Sequence, residues 1–304
     1  MLAIIIPYYK LTFFNATLES LANQTDNRFT VYIGDDNSTE SPLAVLGNYE
    51  HKINVRYRRF CENFGCSSLT KQWHRCLEMI DNEEWVIFLG DDDVLKDNVV
   101  AAFYNQFDTF NNLVNVVRFS TCKIDALGDI TSEQFTHPPL ESATDFLFRN
   151  VRSSLSEYAF RKSTVQKIGF RDFPLAWFSD ILAVLEFSNF KNVYSINTAV
   201  VLIRISALSI SGQQNNSKLK QQATFDFYYY LVSKRLNYFN SQQQLILYNQ
   251  INKSYYNDKK NIRYFLKLTY FYMSRSLVVR YFYFIKSLIA IVIKPKNESR
   301  IQSI

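Results

Sequence analysis

Trp85-Val86-Ile87-Phe88-Leu89-Gly90-Asp91-Asp92-Asp93 is the stretch that decides how this chain is read. Its first six residues are apolar or small, which suits a strand covered on both faces of a parallel sheet. Three adjacent carboxylates at the strand's end repel one another unless a cation sits among them. Hard divalent ions such as Mg²⁺ or Mn²⁺ take oxygen ligands of this kind. In open α/β sheets, ligands bind outside the carboxyl ends of strands, so the position suits a site. The competing reading is an acidic turn that opens the next helix.

Strand and helix signals alternate on the amino-terminal side of this segment. Residues 2–7 form a short apolar run and 12–24 carry Phe14, Leu18 and Leu21 at helical spacing. Residues 29–34 read as a second strand, followed by the polar turn Asp35-Asp36-Asn37-Ser38-Thr39. Residues 53–57 read as a third strand, and 69–80 as a helix with Trp73, Cys76, Leu77 and Ile80 on its core face. Strands alternating with helices argue a mostly parallel, doubly wound α/β sheet flanked by helices. Further along, 98–110 reads as a helix, 114–120 and 158–160 as strands, 163–168 as a short helix ended by Gly169, and 193–203 as a strand. Residues 211–217 are the best linker, and 218–250 and 257–293 read as helices.

Three polar clusters end three of the apolar strands: Pro7-Tyr8-Tyr9, Asp35-Asp36-Asn37 and Asp91-Asp92-Asp93. A parallel sheet opens all three onto one edge. There an aromatic can stack a base, an acid can accept hydrogen bonds from a base or ribose, and an acid cluster can hold a metal against a diphosphate.

With these segments, with Asn63-Phe64-Gly65 and with Trp177-Phe178-Ser179-Asp180, residues 1–211 resemble the GT-A-fold inverting glycosyltransferases of family 2. The resemblance implies a catalytic domain over 1–211, with a nucleotide-sugar half about 1–100 and an acceptor half about 101–211. A helical, basic-aromatic region over 212–304 follows. It implies a nucleotide-sugar donor, UDP-linked, a saccharide or lipid-linked saccharide acceptor, and Mn²⁺ or Mg²⁺. Pro7 and Tyr8 match the residues that lie along the nucleobase. Asp36 matches the acid that bonds uracil. Asp91 matches the acid nearer the ribose. Asp92 matches the metal ligand, and Asp93 stands beside it as a second candidate, since Gly90 replaces the family's usual first Asp. Asp180 matches the catalytic base, with Ser179 able to cap its helix in its place. Trp177 is placed to stack on an acceptor sugar. Arg204, in a strand end where Ser206 replaces the family's His, matches a diphosphate ligand through its fork of donors.

Other functions fit less well. A sugar nucleotidyltransferase needs a Gly-rich loop after the first strand, and no glycine precedes Gly34. An aspartyl-nucleophile phosphatase needs Asp-x-Asp where Pro7-Tyr8-Tyr9 stands. A non-catalytic binder of nucleotide sugars or glycans is the remaining alternative.

The formal charge of +6 is uneven. Residues 251–304 hold eleven Lys or Arg against Asp258 and Glu298, a balance of +9, while the rest of the chain is slightly acidic. Eleven aromatics interleave with these cations. Arg280 and Lys286 interrupt the apolar run 277–293, which argues an interfacial helix inserting Tyr281, Phe282, Phe284, Leu288, Ile289 and Val292 rather than a spanning one. An anionic membrane surface is the expected partner, with packing onto the catalytic domain as the alternative that explains the aromatics but not the charge, and nucleic acid is not expected. Four scattered cysteines and a short amino-terminal apolar run stopped by Pro7 point to a reduced, cytoplasmic chain, and the basic, aromatic tail is what would hold it at the inner membrane face.

Overall fold

A computed structural model of the chain describes residues 1–149, 153–207, 209 and 216–293. The chain divides into two compact units, Met1–Ser217 and Lys218–Ile304. Most of the linker segment 211–217, together with Lys294 and Lys296, lies outside the described residues.

In the first unit β1 (Leu2–Tyr8), α1 (Phe14–Ala22), β2 (Phe29–Asp35), α2 (Leu43–Leu46), β3 (Val55–Arg59), α3 (Leu69–Leu77) and β4 (Trp85–Phe88) alternate. They are followed by β5 (Val94–Leu95), α4 (Val99–Asn105), α5 (Phe107–Phe110), β6 (Val116–Ile124), β7 (Leu140–Ser142) and α6 (Ala143–Phe148). The unit ends with β8 (Tyr158–Arg161), α7 (Lys162–Ile168), α8 (Ser179–Phe187) and β9 (Asn192–Arg204). The segment 98–110, expected as one helix, is broken at Gln106, whose backbone (φ −108°, ψ 3°) leaves the helical region.

All nine strands join one sheet in the order β3-β2-β1-β4-β8-β6-β9-β5, with β7 paired to β9. β1 to β4 run parallel. β8 is antiparallel to both its neighbours, so the expected α/β sheet is parallel from β1 to β4 and mixed beyond.

β1 is a strand because Ile4, Ile5 and Ile6 are β-branched and buried on both faces. Leu2, Ile4 and Ile6 pack beside Phe14, Leu18 and Leu21 of α1 in one apolar cluster. Pro7 has no N–H to give, and it sits past the last β1–β4 pair, Ile5 with Phe88, so no ladder bond is lost on that side. At this point β1 and β4 part, and the crevice outside their carboxyl ends is where open α/β sheets bind ligands.

The second unit comprises α9 (Ser217–Tyr230), α10 (Ser241–Asn257), α11 (Ile262–Ser274) and α12 (Val278–Ile293). Phe284 is fully buried here, stacked on Tyr256 with ring centroids 5.8 Å apart and tilted against Tyr255. It anchors α12 within the unit, which corrects the expectation that Phe284 is available for insertion. Phe282, Ile289 and Val292 remain exposed.

Candidate functional site

The three acids after β4 have three different fates. Asp91 reaches across the crevice, where its Oδ2 accepts from the backbone N–H groups of Tyr9 and Lys10, both at 2.8 Å. This stitches the end of β4 to the end of β1. Asp93 is buried. Its Oδ1 accepts from the Arg204 backbone N–H at 2.9 Å, and its Oδ2 accepts from the Ser156 hydroxyl at 2.5 Å. Ser156 in turn accepts from the Gly90 N–H at 3.0 Å. The Asp92 carboxylate accepts no hydrogen bond from another residue among those described, and it lines the cleft. Burial, reinforced by the charges of Asp93 and Asp91, pushes its carboxyl up to about 8. Burial also raises Asp91, against the opposing pull of its two amide donors.

Gly90 explains how the acids come so close. A Cβ there would stand 2.9 Å from Asp92 Oδ1 and 3.1 Å from Asp93 Oδ2. The residue that departs from the family's pattern is therefore the one that lets the two carboxylates fold back over the strand end.

Asp36 lies at the end of β2. Its Oδ1 accepts from the Phe64 N–H at 2.8 Å, and its Oδ2 accepts from the Gly65 N–H at 2.7 Å. Arg75 of α3 pairs with it as well, and the guanidinium lies over the rings of Phe60 and Phe64. Asp35 is turned to structural work instead, accepting from the Ser38 N–H and the Tyr57 hydroxyl. Asp36 thus gathers the loop 63–65 while lining the cleft. A Cβ on Gly65 would sit 2.5 Å from Asp36 Oδ2, and three donors hold that carboxylate in place. Gly65→Ala is expected to lower stability by about 1 kcal/mol or more through overpacking. A denaturant midpoint equal to wild type would show that the loop moves aside freely.

The aromatic at the first strand end is Tyr9, not Tyr8. Tyr8 is fully buried against Phe14, with ring centroids 4.7 Å apart, and its hydroxyl donates to the Glu40 carbonyl at 2.7 Å. Tyr9, 42% exposed, lines the cleft beside Pro7. The cause is the strand's period of two. β1 continues through Tyr8, so adjacent tyrosines point to opposite sides. Trp73, expected in the core, instead lines the cleft with its edge on Phe170.

Asp180 stands in the first turn of α8 and lines the same cleft, as does Trp177. Its Oδ2 accepts from the Ser153 hydroxyl at 3.1 Å. Neither Ser179 nor Asp180 caps the helix. The N-cap is Phe178 in the left-handed region, and the Ser179 hydroxyl donates to the Arg171 carbonyl at 2.7 Å. Leu175, Ala176 and Phe178 all have positive φ, at 61°, 50° and 71°. Such conformations cost about 1–3 kcal/mol each and persist where the surroundings impose them, commonly at functional sites. Here they shape the turn that carries Trp177 and presents Asp180.

Arg204 differs from the expected free fork. Its Nε donates to the Asp92 carbonyl at 2.9 Å and its Nη1 to the Asp125 carbonyl at 2.7 Å, while the guanidinium lies over Phe13. With those edges committed, a bidentate phosphate contact is not available to it. Arg204 chiefly clamps the acid loop to the end of β9, and only Nη2 makes no hydrogen bond among the described residues.

These residues meet in one cleft of about 680 Å³. It brings together Pro7, Asp36, Asp91, Asp92 and Asp93 from the ends of β1, β2 and β4 with Trp177, Asp180 and Arg204 from later in the chain. Lys10 also lines it and was not singled out by sequence. It is the only cation before Arg28 and directly follows Pro7-Tyr8-Tyr9, a signal that was there to read. Ser156 had no such signal. Among the described residues, no group of three or more His, Cys, Asp or Glu side chains is arranged to hold a metal ion.

Residues 3–179 match the model of glycosyl transferase family 2. No curated protein matches significantly. Among solved structures, residues 1–349 of S. aureus TarS superpose with a TM-score of 0.60 at 14% identity, covering 84% of this chain and 72% of that one. The same fragment in complex with UDP-GlcNAc gives 0.56 at 15% identity, covering 83% and 80%. A further structure of S. aureus TarS gives 0.62 at 17%, and this chain spans 43% of it. At such identities the likeness speaks for the fold alone. The match to the family model covers more than half of the chain, and on that ground the chain belongs to glycosyl transferase family 2.

Proposed function

We propose that the protein moves a hexosyl or N-acetylhexosaminyl group from a UDP-linked donor to a saccharide or lipid-linked saccharide, with inversion, in polysaccharide assembly. The observation that carries this reading is that Asp36, Asp92 and Asp180, from three separate elements, line a single cleft. The likeness to TarS, crystallised with UDP-GlcNAc, supports the choice of nucleotide.

Asp36, Pro7 and Tyr9 surround the base, and the Asp91 Oδ1, which has no partner among the described residues, accepts from the ribose. Trp177 gives the acceptor sugar a flat apolar face. Asp180 takes the proton of the acceptor hydroxyl as its oxygen bonds to the anomeric carbon and the bond from that carbon to the diphosphate breaks. Lys10, beside the acid loop, offsets charge on the departing diphosphate.

A divalent cation fits this site through Asp92. That carboxylate has no donor from another residue among those described and is crowded by two acids, while both oxygens of Asp93 already accept hydrogen bonds. Asp92 is therefore the protein ligand and Asp93 its support, a pattern that suits Mg²⁺ or Mn²⁺ held by one carboxylate and the donor phosphates. When bound, the ion neutralises negative charge on the diphosphate.

Release of UDP from UDP-sugars by the purified protein, increased by an acceptor and lost on chelation, is the expected result. A chain that UDP-sugars stabilise but that releases no UDP under any condition is a binder, and the reading fails.

The helical unit is proposed to rest on an anionic membrane. Among the described residues no helix is long and apolar enough to cross one. α12 nonetheless exposes Val279 at 69% and Phe282 at 67%, with Ile289 and Val292 further along, beside Lys286. Such a helix suits the interface. The double variant Phe282→Asp with Ile289→Asp is expected to weaken partition onto phosphatidylglycerol vesicles by about tenfold or more. Raised salt weakens it only in part, because screening acts on charge alone. Partition indifferent to both changes refutes the docking.

A further inference from the structure

The helical unit contains a second cavity, of about 650 Å³, between α10 and the α11–α12 turn. Its polar lining consists of Arg280, Asn249, Asn252 and Ser276 around Tyr248 and Tyr272. The hydrogen-bonding capacity left open here is mostly donor. Arg280 lies over the Tyr248 ring at 4.4 Å and makes no hydrogen bond or ion pair among the described residues. Asn252 accepts from the Tyr272 hydroxyl at 2.8 Å through Oδ1, which leaves its amide N–H groups without an acceptor among the described residues. The Asn249 side chain has no partner there either. No acid lines the cavity. The two described acids of this unit are occupied, Asp226 by Lys267 and Asp258 by Asn261.

Solvent-facing donors grouped around a cation, with no protein acceptor among the described residues, suit an oxygen-rich anion. The rim adds a second requirement. Leu245, Val278, Val279 and Tyr283 line the cavity and are largely exposed, Val278 at 60% and Tyr283 at 63%. A free anion gains nothing from apolar groups at the mouth of its site, whereas an amphiphile does. The geometry points to a phospholipid headgroup site: the phosphate of an anionic membrane lipid sits between Arg280 and the amides of Asn249 and Asn252, with its acyl chains along the exposed rim of α12. This rests on the membrane reading above and adds to it a defined pocket rather than a diffuse field of charge.

The test is sedimentation of the full chain with phosphatidylcholine vesicles carrying phosphatidylglycerol. Three variants are compared with wild type: Arg280→Gln, Lys286→Gln and Asn252→Asp. Lys286 is exposed on the same helix outside the cavity, so its removal reports charge alone, about fivefold in partition. Arg280→Gln is expected to lose tenfold or more. Asn252→Asp keeps the acceptor for Tyr272 but turns a donor into a negative group, so it is expected to lose as much as Arg280→Gln with an unchanged melting temperature. Equal losses for Arg280→Gln and Lys286→Gln overturn the pocket and leave the membrane reading standing. Wild type that binds no vesicle overturns the membrane reading itself. Inorganic phosphate that stabilises wild type but not Arg280→Gln, without vesicle binding, assigns the cavity to a soluble phosphate and overturns the lipid.

Discussion

Asp180→Asn is expected to lower the rate of sugar transfer by about 10² to 10⁴, the usual contribution of a positioned base. The substitution isolates the chemistry because so little else should change. Asn keeps an oxygen to accept from the Ser153 hydroxyl, and Ser179 keeps its bond to the Arg171 carbonyl. The first turn of α8 loses one carboxylate near a helix amino terminus, which costs about 1 kcal/mol at most. UDP affinity should stay within about twofold, because a tenfold change would require 1.4 kcal/mol of lost donor contact. Single-turnover transfer measured beside UDP titration separates the two quantities. Near-normal transfer would remove Asp180 from the reaction and leave the turn at 175–178 without the role its strained backbone implies.

The parts of this site that sequence made legible are the parts with local signals. An apolar β-branched run followed by polar residues marks a strand end, and β1, β2 and β4 each carry one. Placing those ends on a single sheet edge needed only the alternation of strands and helices. The division of labour among the acids was not legible, because it is set by partners far along the chain. Asp93 is taken out of service by Arg204 and Ser156, 111 and 63 positions away. Arg204 is occupied by carbonyls of the acid loop and of the turn at 125–126 for the same reason. The choice between Tyr8 and Tyr9 turned on whether β1 ends at Pro7 or one residue later, a shift that reverses which side chain is buried. The mixed half of the sheet depends on β8, four residues long, whose sequence carries no information about direction.

Asp92→Asn is expected to reverse the order of stability between variant and wild type, depending on what is bound. In metal-free buffer the Asp92 carboxyl sits at about 8, raised by burial and by Asp93 and Asp91, against an ordinary value near 4. Between those values the folded state holds a proton that the unfolded chain has released. Stability supplied by that proton is present at low pH and is lost as pH rises through the window from about 4 to about 8. Asn cannot titrate, so at pH above 8 without metal the variant should melt higher than wild type, by at least about 2 °C for a unit of this size. The gap should close as pH falls toward 4. Addition of Mn²⁺ and UDP should invert the order. Wild type then gains about 2.7 kcal/mol at 100 times the dissociation constant, and the variant, lacking the Asp92 carboxylate, gains nothing from the metal. Melting curves at three pH values, with and without Mn²⁺ and UDP, contain the whole test. A variant that is less stable than wild type in metal-free alkaline buffer would show that Asp92 is not the strained acid of the three. One that keeps the full metal-dependent gain would move the ligand elsewhere on the loop, to Asp91 first, since the Asp93 carboxylate is already held by the protein.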